Sequence, residues 1–76
     1  MNAKGRKDVE KFVKRIEDIK SNIENMRDDE QEKYDNMPEG IQDSERGEKM
    51  QEAIDQLDYA IENLDDAVSN LQEILE

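Results

Sequence analysis

From Val9 onward the apolar residues recur at spacings of three and four: Val9, Phe12, Ile16, Ile19, Ile23 and Met26. An α-helix turns once in about 3.6 residues, so this spacing draws them into one stripe, the a and d positions of a heptad. The stripe predicts a long helix with an apolar seam, widened by Val13 near its start. The pattern then degrades. Glu30 and Lys33 fall on the next a and d positions, while Tyr34 and Met37 continue one step out of phase. Such a slip predicts a local change of phase near the helix end, or a wetter and less tightly packed end.

A second, more regular pattern follows. Met50, Leu57, Leu64 and Leu71 occupy position a, Ala53, Ala60, Ala67 and Ile74 position d, and Ile54, Ile61, Val68 and Leu75 position e. A seven-residue repeat sustained over about four heptads predicts a long packed helix and argues against disorder. The small d residues suit a close helix neighbour on that flank. Three apolar columns make a stripe wider than a two-stranded seam requires, so the e column is expected to need cover from another surface.

Between the two patterns lies Asn36-Met37-Pro38-Glu39-Gly40, with the only proline. Pro disfavours helix at the residue before it and cannot extend one through its own position, yet it can open a new turn. One short turn is therefore compatible with Pro38 to Gln42. Asp43 and Ser44 are both good N-caps, Glu45 suits the first turn, and Gly47 weakens that turn slightly. The resulting organisation is a flexible basic arm over 1–6 and one domain over 7–76, with a helix over 7–36, a linker over 37–43 and a helix over 44–75.

The two helices have nearly equal length, roughly 45–48 Å at about 1.5 Å per residue. Equal rods joined by a short linker predict an all-α antiparallel two-helix hairpin, coiled-coil-like in its packing. Charge agrees with that orientation. Residues 1–20 carry seven basic and four acidic side chains and would lie beside the acidic end of the second helix. Residues 21–34, with two basic and five acidic, would lie beside Arg46 and Lys49. A hairpin of this size has a thin core, so self-association into a dimeric four-helix bundle is expected, unless a partner protein supplies the same cover.

Composition narrows the chemistry. The 76 residues include 43% charged and 33% hydrophobic side chains, with no Cys and no His. Without Cys there is neither a disulfide framework nor thiolate chemistry. Without His, the commonest neutral-pH acid–base group and metal ligand is missing. Ser21, Ser44 and Ser69 have no imidazole to activate them, and a Ser–Lys pair would need a buried pocket that a chain this small can hardly build. No enzyme activity and no cofactor are expected. No apolar run approaches the roughly 18 residues of a membrane span. The basic start, Met1 to Lys7, lacks the apolar core of a signal peptide. The expectation is a cytoplasmic protein.

Two features invite a metal reading and fail to carry it. Gly40 stands sixth from Asp35, as in a calcium loop, but Met37 and Arg46 fall where carboxylate ligands belong. Glu30 on a core position would need an i, i+3 histidine to build a carboxylate metal site of the bundle type. It is expected instead to reach solvent, Lys33 or Lys49. No metal site is predicted.

The net charge of −11 is unevenly placed. Residues 1–34 balance at nine basic and nine acidic groups, whereas residues 35–76 hold two basic and thirteen acidic ones. On the outer face of the second helix, Glu52, Asp55, Asp58, Glu62, Asp65, Asp66, Glu73 and Glu76 recur at helical spacing. Ridge neighbours lie roughly 4.5–6 Å apart along the axis. DNA carries one charge per about 3.4 Å of each strand, so the ridge is a sparser version of the same array. An ordinary solvated helix face would intersperse Lys and Arg at i, i+4; this one accepts like-charge repulsion. Tyr59 sits among these carboxylates as a potential interface anchor, and Tyr34 is expected to pack at the hairpin end. The candidate partner-binding set is Asp55, Asp58, Tyr59, Glu62, Asp65 and Asp66. Such a field repels nucleic acid and anionic membrane and attracts a basic protein surface.

The linker and its flanks, Tyr34-Asp35-Asn36-Met37-Pro38-Glu39-Gly40-Ile41-Gln42-Asp43-Ser44-Glu45-Arg46-Gly47, followed by the Ala/Ile/Leu heptads, resemble small acidic helical proteins of phages and prophages of Gram-positive bacteria. The likeness spans roughly residues 20–76. It implies a bacterial host cell as the setting and assigns no functional residue. Two functions follow as expectations. The chain binds and blocks a basic surface of a host nucleic-acid-handling protein, in the manner of a DNA mimic. Alternatively it is a structural or assembly module whose charge maintains solubility.

Overall fold

A computed structural model describes residues 1–76 throughout. Three helices follow in order: α1 (Ala3–Asp35), α2 (Glu39–Gln42) and α3 (Glu45–Leu75). The α1 and α3 rods lie antiparallel along a body of 58 × 15 × 14 Å, which is the all-α hairpin that the two apolar patterns predict. A dimensionally thin body implies a thin core: Val9, Val13, Ile54 and Val68 are the buried apolar side chains, with Ile54 only 2% exposed.

The start of α1 departs from expectation. Residues 1–6 read as a loose arm, but the helix begins at Ala3, because the Asn2 side-chain oxygen accepts a 2.8 Å hydrogen bond from the Gly5 amide. That bond satisfies one of the amides that a helix start otherwise leaves without a partner. Arg6 is also engaged. Its guanidinium donates to the carbonyls of Ile74 and Leu75 at the end of α3. No basic residue lies in the last turn of α3 itself, so α1 supplies the cation that the negative helix terminus favours.

The chain reverses where Pro38 requires it. α1 stops at Asp35, and the Pro38 carbonyl accepts from the Ile41 and Gln42 amides, opening the single turn of α2. The Gln42 side chain ties this connector to α1 by donating to the Tyr34 carbonyl at 2.8 Å. Asp43 closes α2, leaving Ser44 alone as the N-cap of α3; its hydroxyl donates back to the Ile41 carbonyl rather than capping an α3 amide. Gly47 is buried because connector backbone crosses it: a Cβ there would stand 2.1 Å from the Gln42 carbonyl oxygen. Its value lies in that close approach rather than in any special backbone angle, since no residue has positive φ.

Rotation about the helix axes is the main difference from the sequence pattern. On α1 the line facing α3 runs through Val9, Ile16 and Ile23, joined by Val13, Lys20, Arg27 and Tyr34. Phe12, Ile19 and Met26, read from sequence as half of the seam, are instead 48%, 52% and 56% exposed. On α3 the e column, expected to be uncovered, lies against α1 together with position a. Ile54 and Val68 are buried, and Ile61 and Leu75 half-buried. The exposed flank is the d column, with Ala53 open and Ile74 40% exposed. Burying Ile and Val in place of Ala removes more apolar area from water, at about 25 cal/mol per Å², which accounts for the α3 side.

Candidate functional site

On the α1 side the same rotation brings two ion pairs within reach. Turning Lys20 and Arg27 toward α3 brings Lys20 to 2.5 Å from Asp65 and Arg27 to 2.9 Å from Asp58. Arg27 also holds Asp28 at 3.0 Å. Hydrogen bonding to Asp65 pushes the Lys20 ammonium above its ordinary value, and hydrogen bonding first to Asp58 and then to Asp28 does the same for Arg27; partial desolvation opposes both shifts. The pairs lie one column beyond the apolar seam and close one side of the hairpin.

The six sequence-predicted binding residues are therefore divided by the structure. Asp58 and Asp65 are engaged in holding α1 to α3. Asp55, Tyr59, Glu62 and Asp66 stand exposed on the outer wall, with Tyr59 57% accessible. Asp55 accepts a 3.1 Å hydrogen bond from Gln51, one turn earlier, and neither Glu62 nor Asp66 has an ion pair. Glu30 pairs with Lys33 at 3.3 Å, one of the partners expected for it.

Charge on α3 is sorted by face. The carboxylates fall on the b, c and f columns; from Arg46 to Ile74 the d and g columns hold none. Six of the nine carboxylates in α3 have no ion-pair partner. Local pairs such as Lys49–Glu45 and Lys4–Asp8, both at 3.3 Å, belong to the helix starts.

Opposite the ion pairs runs an apolar face. Lys20 and Arg27 flank the seam of α1 on one side, and Phe12, Ile19 and Met26 flank it on the other. On α3, Asp58 and Asp65 lie beyond the e column, while Ala60, Ala67 and Ile74 lie beyond the a column. Since the ion pairs join the first flanks, the other two share the opposite side of the hairpin. Phe12, Ile19, Met26 and Ile74, four of the exposed large apolar side chains, thus form one stripe beside a shelf of alanines. Heptad counting alone could not reveal it, because the same residues fit a buried a/d seam equally well.

At the connector, Tyr34, Gln42, Asp43, Gly47, Glu48, Gln51 and Glu52 line an open recess whose walls are amides and carboxylates, with Tyr34 its single apolar residue. Nowhere do three carboxylates converge so as to hold a metal ion. No helix is long and apolar enough to cross a membrane. No protein-family model, curated protein or solved structure matches the chain.

Proposed function

We propose that the chain is a non-catalytic acidic interaction protein of a Gram-positive phage or prophage. In this reading it acts in the host cytoplasm, binding and blocking a basic surface of a nucleic-acid-handling host protein. The supporting observation is the outer wall of α3, where Asp55, Glu62 and Asp66 surround an exposed Tyr59 and no cation neutralises them. Unpaired carboxylates held on a rigid helix keep their full field for a basic partner, and an exposed aromatic ring among them offers an apolar anchor. The phage setting rests on the resemblance of the connector sequence.

The test is affinity capture from a Gram-positive host lysate with wild-type protein and with a D55K/E62K/D66K variant, which spares the hairpin pairs. Reversal of Asp58 and Asp65 would serve less well, since it also strikes Lys20 and Arg27. The reading predicts a nucleic-acid-handling protein that is captured by wild type, released by moderate salt, displaced by DNA and lost with the variant. Equal capture by the variant would contradict it.

The alternative, an assembly module, is favoured by the exposed stripe of Phe12, Ile19, Met26 and Ile74. Association through that stripe alone would be nearly indifferent to salt.

A further inference from the structure

We infer that the apolar face of the hairpin is a docking surface for a second copy of this chain, forming a four-helix bundle in which Ile19 and Met26 of each copy pack on Ala67 and Ala60 of the other, with Phe12 beside Ile74. The inference does not depend on what the acidic wall binds.

Charge identifies the occupant. Two chains of net charge −11 repel each other unless the surfaces that meet are free of the excess. The d and g columns of α3 meet that condition, with Ala60 and Ala67 bordered by Gln56, Asn63 and Asn70. The carboxylates that would draw a basic protein lie on other columns of α3.

Shape sets the arrangement. The face carries a column of large side chains on α1 and, over Ala53, Ala60 and Ala67, a column of small ones on α3. A two-fold axis along the rods sets α1 of one copy over α3 of the other, at the same level and antiparallel. The hairpin register, with Arg27 beside Asp58 and Lys20 beside Asp65, then puts Ile19 near the second copy's Ala67 and Met26 near its Ala60. Large residues fill the space above small ones, as packing at interior density requires. A two-fold axis across the rods would oppose large to large and small to small, leaving a gap along α3.

Total exposure points the same way. The chain exposes 5743 Å², whereas a compact monomer of 8.9 kDa is expected to expose about 4,800 Å². Burying a standard interface, roughly 800 Å² from each partner, would offset most of that difference.

Sedimentation equilibrium of the full chain, with mixed isotope labelling to separate contacts between copies from those within one, tests the inference. The expected result is a dimer that persists in high salt and shows contacts between copies from Ile19 to Ala67. Ile19→Glu and Ala67→Glu should each weaken it roughly tenfold or more, because an ionised carboxylate would have to be desolvated. Glu62→Gln, on the opposite wall, should leave it unchanged. A wild-type monomer throughout the concentration range, an assembly of another size, or contacts between copies running through Tyr59 and Glu62 would overturn the inference, whatever the folding of the variants.

Discussion

Arg6 and Leu75, sixty-nine positions apart, close the open end of the hairpin: the guanidinium of the first helix donates to a terminal carbonyl of the last. The contact joins sequence extremes that would otherwise fray. Replacing Arg6 with Met keeps the aliphatic stem and removes the donors. The final turn of α3 should then exchange its amide hydrogens faster, with a stability loss of about 0.3–1 kcal/mol, the usual worth of a cation at a helix C-terminus.

The two connector glycines should respond in opposite directions. Gly47→Ala puts a methyl against the Gln42 carbonyl, which is backbone and cannot step aside. A loss of about 1–3 kcal/mol is expected in urea denaturation. At Gly40, inside α2, a Cβ meets nothing within 4 Å. Gly40→Ala should therefore stabilise the chain by about 0.5–1 kcal/mol through helix propensity.

A thin core makes single side chains count. Ile54→Ala removes the most deeply buried one and should cost about 2–5 kcal/mol. The total for a chain of this length is only of order 4–11 kcal/mol, so this one substitution should remove a large share of the stability and lower the denaturation midpoint markedly. Circular dichroism during denaturation measures this directly. Tyr59→Ala, on the exposed wall, should fall within about 0.5 kcal/mol of wild type.

Lys20 makes a contribution to stability that high pH removes. Its ammonium is held above its ordinary 10.5 by the hydrogen bond to Asp65. A raised value means that the native state binds the proton more tightly than the unfolded chain does. The pair's contribution is thus fully present below 10.5 and is lost as pH climbs through the folded value above it. Wild type should exceed Lys20→Met in stability by a constant margin from neutrality to about pH 10, and the margin should close beyond that. A margin that vanished near neutral pH would contradict the assignment.

The two long helices, the break at Pro38 and the antiparallel pairing were legible because each depends on local chemistry or on the sign of charge along the rods. Rotation about the helix axes was not. Phe12 and Val13 are neighbours in sequence, and either can serve as a seam residue; the structure buries Val13, on the column whose Lys20 and Arg27 pair with α3, and heptad counting ignores such cross-helix pairing. Asp58 and Asp65 read as part of an outward ridge for the same reason. Asn2 and Arg6 passed for a loose arm because a capping residue and a cross-chain cap carry no periodic signal. Gly47 looked mildly unfavourable, since helix propensity says nothing about backbone crossing overhead. Of the candidate binding set, Asp55, Tyr59, Glu62 and Asp66 keep the exposure their spacing predicts.

How far each rod is turned about its own axis decides what is buried, what is paired and what is left outside. Methyl NOE spectroscopy reads this most directly, with a mixed-label sample distinguishing contacts within a chain from contacts between chains. The structure places Val9, Val13 and Val68 in one buried cluster, so Val13–Val68 contacts should appear within one chain. Phe12 in place of Val13 at that position, or Val13–Val68 contacts found only between chains, would contradict it.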